Sequence, residues 1–158
     1  MHALFDCRVN KEALTLATSH KTPLSIGLGH LMLGRCALYQ SLLQGKNPEN
    51  AKIDIDLAIA NLRASGALHH LPRGLITRGW LRGRMDDNAG ARADLDEAWR
   101  IASRGGMKLH QADICLYRAK LFGNRDALLE ARALIMGCGY SRRIPELKDT
   151  EASFGLLF

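Results

Sequence analysis

The chain is poor in strand formers. Valine occurs once, at Val9, and aromatic residues make up 6% of the 158 residues. β-Branched and aromatic side chains suit a pleated, half-buried surface. No stretch alternates apolar with polar residues, so a sheet protein is excluded. No apolar run reaches the ~18 residues needed to cross a bilayer, which sets a membrane partner aside. The start, MHALFDCRVNKEAL, lacks a basic segment leading into an apolar one. No signal peptide is therefore read, and a cytoplasmic location is expected. The cysteines, Cys7, Cys36, Cys115 and Cys138, have no CxxC spacing. They are expected to be reduced and mostly buried as small hydrophobes. No GxxxxGK[ST] occurs, so no phosphate-cradling P-loop is present. The nearest glycine cluster, Gly27, Gly29 and Gly34, lies in an apolar helix pattern without the lysine.

Alanine, leucine, arginine and glutamate dominate instead, and these are good helix formers. Hydrophobic residues are 47% and charged residues 24%, close to an average soluble domain. That balance excludes wholesale disorder, and the length allows one domain with an adequate core or one run of small repeats. The fold class is therefore all-α. Breakers cut the chain into helices. Asn10 to Ser19 is one helix. Pro23 opens another that runs to about Leu43, followed by the turn GKNPEN. The next ends near Ser65 with Gly66 as its stop. Pro72 opens LPRGLITRGWLRGRM, and Asp87 or Asn88 caps ARADLDEAWRIASR, which stops at Gly105-Gly106. Leu109 to Phe122 and RDALLEARALIM follow, then a short helix after Pro145.

The pieces alternate as helical hairpins, and an internal repeat runs through them. Ala51, Ile55 and Ala58 recur as Ala91, Leu95 and Ala98, and more weakly as Asn124, Leu128 and Ala131, at offsets of 40 and 33. Gly34, Gly79 and Ala119 supply a small residue midway along each first helix. Small–large–small spacing of this kind, at a period near the ideal of about 34 residues, resembles tetratricopeptide (TPR) repeats. The segments PLSIGLGHLMLGR, HLPRGLITRGWLR, ARADLDEAWRIASRGGMKLH and GYSRRIPEL are similar to the C-terminal TPR-like region of bacterial signalling NTPases of NACHT, STAND and AAA type. The resemblance implies a TPR-like α–α superhelix, a solenoid of antiparallel hairpins. It divides as a leading half-repeat over 10–22, hairpins over 23–67, 70–105 and 108–139, and a C-terminal cap over 143–158. It further implies a non-enzymatic interaction module or scaffold, as a fragment or relative of a bacterial sensor protein, with no cofactor.

The charge, 22 Lys+Arg against 16 Asp+Glu for a net +6, suits an acidic partner. A TPR-like array binds through the concave face lined by its first helices. Mapping the repeat puts Arg35 and Tyr39, then Arg73, Ile76, Trp80 and Arg84, then Asp113, Leu116 and Lys120 on that face. Guanidinium groups grip carboxylates in bidentate fashion, and tryptophan and tyrosine are apolar anchors with a polar handle. The groove is therefore expected to take an acidic protein or peptide segment. A small basic nucleic-acid- or ligand-binding regulator is the alternative. Arg73, Arg78, Arg82, Arg84, Arg142 and Arg143 could meet phosphates, but they divide between helix faces and no recognition motif accompanies them. His69, His70 and His110 lack the further ligands a metal needs. The carboxylates Asp94, Asp96 and Glu97, with Arg92, Arg100 and Arg104 nearby, are expected to form surface or inter-helix salt bridges rather than do acid–base work. The apolar ASFGLLF end and the unpaired N-terminal helix leave two uncapped ends, through which a homodimer or domain swap is expected.

Overall fold

A computed structural model describes Thr15 and residues 22–155. The all-α expectation is met, with seven α-helices and no strand among the described residues: α1 (Pro23–Leu43), α2 (Lys52–Ala64), α3 (Leu71–Arg84), α4 (Asn88–Arg104), α5 (Lys108–Phe122), α6 (Arg125–Gly137) and α7 (Ile144–Ser153). No helix among them is long and apolar enough to cross a membrane. The expected N-terminal helix, Cys7, and the last residues of ASFGLLF lie outside the described residues. So, in consequence, do most of the two ends through which self-association was expected.

Local chemistry explains the boundaries. Proline stands in the first turn of α1, α3 and α7, where a missing N–H removes no helical bond. Asp87 caps α4 by accepting the Gly90 N–H at 2.9 Å, and Asn124 caps α6 by accepting the Ala127 N–H at 3.0 Å. Behind each helix comes a residue of positive φ, glycine in every case except Asp86 after α3 (φ 62°). Such a left-handed residue ends the helix and sends the chain back along it.

The helices pair as α1–α2, α3–α4 and α5–α6, and successive pairs join through α2–α3 and α4–α5. The backbones of the first helices also approach one another, α1 with α3, α3 with α5, and α5 with α7, whereas those of α2, α4 and α6 do not, and α2 and α4 meet through the Arg63–Glu97 ion pair. The repeat seen in the sequence is the hairpin packing itself. A Cβ placed on Gly34 would meet Ile55 and the Ala51 carbonyl, and one on Gly79 would meet Leu95 and the Ala91 carbonyl. Equivalent glycines thus face equivalent small–large pairs in two hairpins, and backbones approach because no side chain intervenes. The core forms two clusters, one across α1 to α5 and one across α5 to α7, with Trp99 packed against both.

The three described cysteines are in the reduced thiol form, as expected, but only Cys115 is fully buried. Burial, then the charge of Glu130, pushes its thiol up to about 12, which leaves it an inert core side chain. Cys36 is partly buried and Cys138 is exposed. Cys138 sits directly after α6 as its C-cap, and a turn at a helix end offers no second layer to cover it.

Candidate functional site

A cavity of about 830 Å³ opens on the side where the first helices lie. Helix α1 contributes Arg35 and Tyr39, α3 contributes Arg73, Ile76, Thr77 and Trp80, and α5 contributes His110, Asp113 and Tyr117. Six of the residues expected on the concave face therefore come together here: Arg35, Tyr39, Arg73, Ile76, Trp80 and Asp113. The other three do not line it. Leu116 is wholly buried, packed with Leu128 and Ile135 against α6. On α5 the cavity face runs from Asp113 to Tyr117, one helical turn of four, and Leu116 falls on the neighbouring face. Arg84, the last residue of α3, is exposed beyond the cavity. Lys120 turns away to Glu146 on α7, at 2.7 Å.

The turn before α7 brings residues that spacing within hairpins does not reveal. Tyr140, Arg142 and Arg143 close one end of the cavity. Arg143 Nε donates to Asp113 Oδ1 at 2.7 Å and Arg143 also pairs with Glu146. Burial opposes the Arg143 charge, but Asp113 and Glu146 more than offset it and hold its pKa above the ordinary arginine value. Asp113, the only acid in the lining, is therefore already neutralised by Arg143.

The remaining cations have no such partner. Arg35 is held by neutral acceptors, donating from Nε to Thr77 Oγ1 at 2.9 Å and from Nη2 to the Arg73 carbonyl at 3.2 Å. Burial, then the nearby Arg73 charge, lowers its pKa. Neither Arg35 nor Arg73 meets a carboxylate among the described residues, and Arg142 donates to the Tyr140 hydroxyl at 3.2 Å instead. Beside these cations runs an aromatic ladder across three helices. The rings of Tyr39 and Trp80 lie 5.2 Å apart, edge to face, and those of Trp80 and Tyr117 lie 5.7 Å apart. Tyr39 is 51% exposed, so the ladder offers an apolar surface to a ligand.

Half of the six arginines able to meet phosphates are paired with carboxylates. Arg78 and Arg82 bind Asp94, Arg78 also reaches Asp56, and Arg143 serves Asp113. The acids of ADLDEA form inter-helix salt bridges, as expected. Asp94 meets α3, Glu97 meets Arg63 on α2, and Asp96 meets Arg118 on α5. Of the arginines on the same helix, Arg92 stacks over the Phe122 ring at 3.9 Å, whereas Arg63, Arg78, Arg82 and Arg118 face the acids across helix interfaces. Among the described residues no group of three His, Cys, Asp or Glu could hold a metal ion.

His69, His70 and His110 line the cavity in the same cationic field. Burial lowers the pKa of His70, helped by His69 and Arg73. Burial also lowers that of His110, where Arg73, Arg35 and His70 add to the effect and Asp113 opposes it. Both folded values lie below the unfolded value of 6.5. The neutral forms therefore contribute stability that is present above 6.5 and lost as pH falls below it. Thermal melts should show Tm dropping between about pH 7.5 and about pH 5.5, with His110→Gln flattening the slope. An unchanged slope in that variant would contradict the assignment.

No family model, no curated protein and no solved structure matches the chain.

Proposed function

We propose that the chain is a non-catalytic protein-interaction module of TPR-like architecture that receives an acidic segment of a partner protein in the cavity. One observation carries this reading: Arg35 and Arg73, without carboxylate partners among the described residues, stand beside an aromatic ladder whose Tyr39 ring is exposed. The backbone packing supports the architecture, since first helices approach one another along a row and second helices do not. This is how stacked hairpins present one continuous inner face. The segments similar to bacterial NACHT, STAND and AAA sensors make a scaffold in a cytoplasmic signalling protein the context that fits best. An acidic segment would supply carboxylates for the guanidinium groups and an apolar side chain for Tyr39 and Trp80.

The test is calorimetric titration with a glutamate-rich peptide that carries one aromatic residue. Arg73→Ala and Trp80→Ala are each expected to weaken binding by about tenfold or more. Arg84→Ala, outside the cavity, should leave affinity as it is. Equal affinities for wild type and Arg73→Ala would remove the groove reading. A second reading has its own support: about 830 Å³ lies within the size range of small-molecule sites, so the same cavity also suits a compact anionic ligand.

A further inference from the structure

We infer that the Arg35–Arg73 end of the cavity is a seat for a doubly charged phosphoryl group, carried by a phosphate monoester whose ring body lies along Tyr39 and Trp80. This deepens the reading above and rests on it for the use of this cavity as a binding site.

The charge balance leads to the dianion. Arg143 cancels Asp113, and Lys120 with Arg143 answers Glu146. Arg35, Arg73 and Arg142 are left with no acid in contact among the described residues, and of these Arg35 and Arg73 stand together, two positive charges near one another. A single carboxylate would cancel half of that. A phosphate monoester carries about −1.5 to −2 at neutral pH and offers three acceptor oxygens.

The donors are arranged for such a group. Thr77 and the Arg73 carbonyl fix the Arg35 guanidinium through Nε and Nη2. Its Nη1 makes no hydrogen bond among the described residues and remains for a ligand. These are neutral acceptors, so they orient Arg35 without discharging it. Arg73 comes from the next first helix and makes no side-chain hydrogen bond among the described residues. Two guanidinium groups from different helices can thus approach one oxyanion from two sides, in the geometry arginine favours. The aromatic ladder begins within the same lining, with Trp80 two helical turns along α3 from Arg73. A flat ring bearing a phosphoryl group would place its two parts on these two surfaces.

The full chain should be titrated calorimetrically with phenyl phosphate, benzoate and inorganic phosphate. Phenyl phosphate is expected to bind about tenfold or more tightly than benzoate, and more tightly than inorganic phosphate, which lacks the ring. Arg35→Ala removes bonds that tie α1 to α3, so Arg73→Ala carries the test. Arg73 is exposed and its structural bonds run through its carbonyl. That variant should lose about 10- to 100-fold in affinity for phenyl phosphate with an unchanged circular dichroism spectrum, and Arg73→Lys should recover part of the loss. Benzoate binding as tightly as phenyl phosphate, or no effect of Arg73→Ala, overturns the seat. Adenosine monophosphate and a phosphotyrosine peptide then separate the sources. Preference for the nucleotide assigns a free phosphorylated metabolite, and preference for the peptide assigns a modified partner protein. If the glutamate-rich peptide binds through Arg73 while no phosphate monoester binds, the seat falls and the interaction module stands. If phenyl phosphate binds and no protein segment does, the module falls and the seat stands.

Discussion

Asp94→Ala should lower the folding stability by about 3–5 kcal/mol, the cost of breaking a buried ion pair from one side. Asp94 is 3% exposed. It accepts both Nε and Nη2 of Arg78, at 2.9 and 2.8 Å, and Nη1 of Arg82 at 2.9 Å. Burial works against the Arg78 charge, but Asp94 and then Asp56 hold its pKa above the ordinary value. Removing the carboxylate strands Arg78, whose side chain is 17% exposed, with only Asp56 to answer it. Arg82, at 31%, is better hydrated and loses less. The effect reaches past one hairpin, because Arg78 joins α2, α3 and α4 through Asp56 and Asp94. Urea denaturation of the variant checks the magnitude. Replacing both partners, Arg78→Met with Asp94→Leu, should recover much of the loss, since an apolar pair leaves no charge unsolvated. A loss below about 1 kcal/mol for Asp94→Ala would mean that water reaches the cluster as it does a surface pair.

The second large effect is steric. Gly34→Val should cost about 3 kcal/mol through overpacking. A Cβ at position 34 would lie 2.5 Å from Ile55 Cγ1 and 3.1 Å from the Ile55 backbone nitrogen. Ile55 is fully buried and cannot swing aside, and its backbone belongs to α2. The valine methyl groups make the clash larger, so α1 must lift away from α2. Gly79→Val in the next hairpin should cost less, because the nearest atom, Leu95 Cγ, lies 3.2 Å away. Chemical denaturation of both variants tests the order. Combining Gly34→Ala with Ile55→Val should be milder than Gly34→Ala alone, since the shortened side chain can yield space. Equal stability of Gly34→Val and wild type would refute the close approach.

Much of the fold was legible from the chain. Prolines, capping residues and glycines act within a turn of where they stand, so they mark helix ends without reference to anything distant. The helix-rich composition with a single valine led directly to an all-α protein. The recurrence of Ala51, Ile55 and Ala58 as Ala91, Leu95 and Ala98 was legible too, because helix packing repeats the same small–large contact in each hairpin. That regularity also brought part of the cavity into view. Arg35, Tyr39, Arg73, Ile76 and Trp80 share one side of α1 and α3 at helical spacing.

The rest depended on how helices rotate and on what comes from far along the chain. A rotation of α5 by about one residue, which helical spacing leaves open, packs Leu116 against α6 and puts Tyr117, itself largely buried, in the cavity wall. Tyr140 and Arg143 reach the cavity from a turn that belongs to no hairpin, and Arg143 takes Asp113 out of play. Charge is the clearest divide. By itself the sequence determined an all-α chain punctuated into hairpins and carrying an excess of six positive charges. Only the tertiary structure decided which of those charges are answered, because ion pairs form across helix interfaces between residues far apart in number. It assigned Arg78 and Arg82 to Asp94 and left Arg35 and Arg73 without a carboxylate partner among the described residues, beside the aromatic ladder.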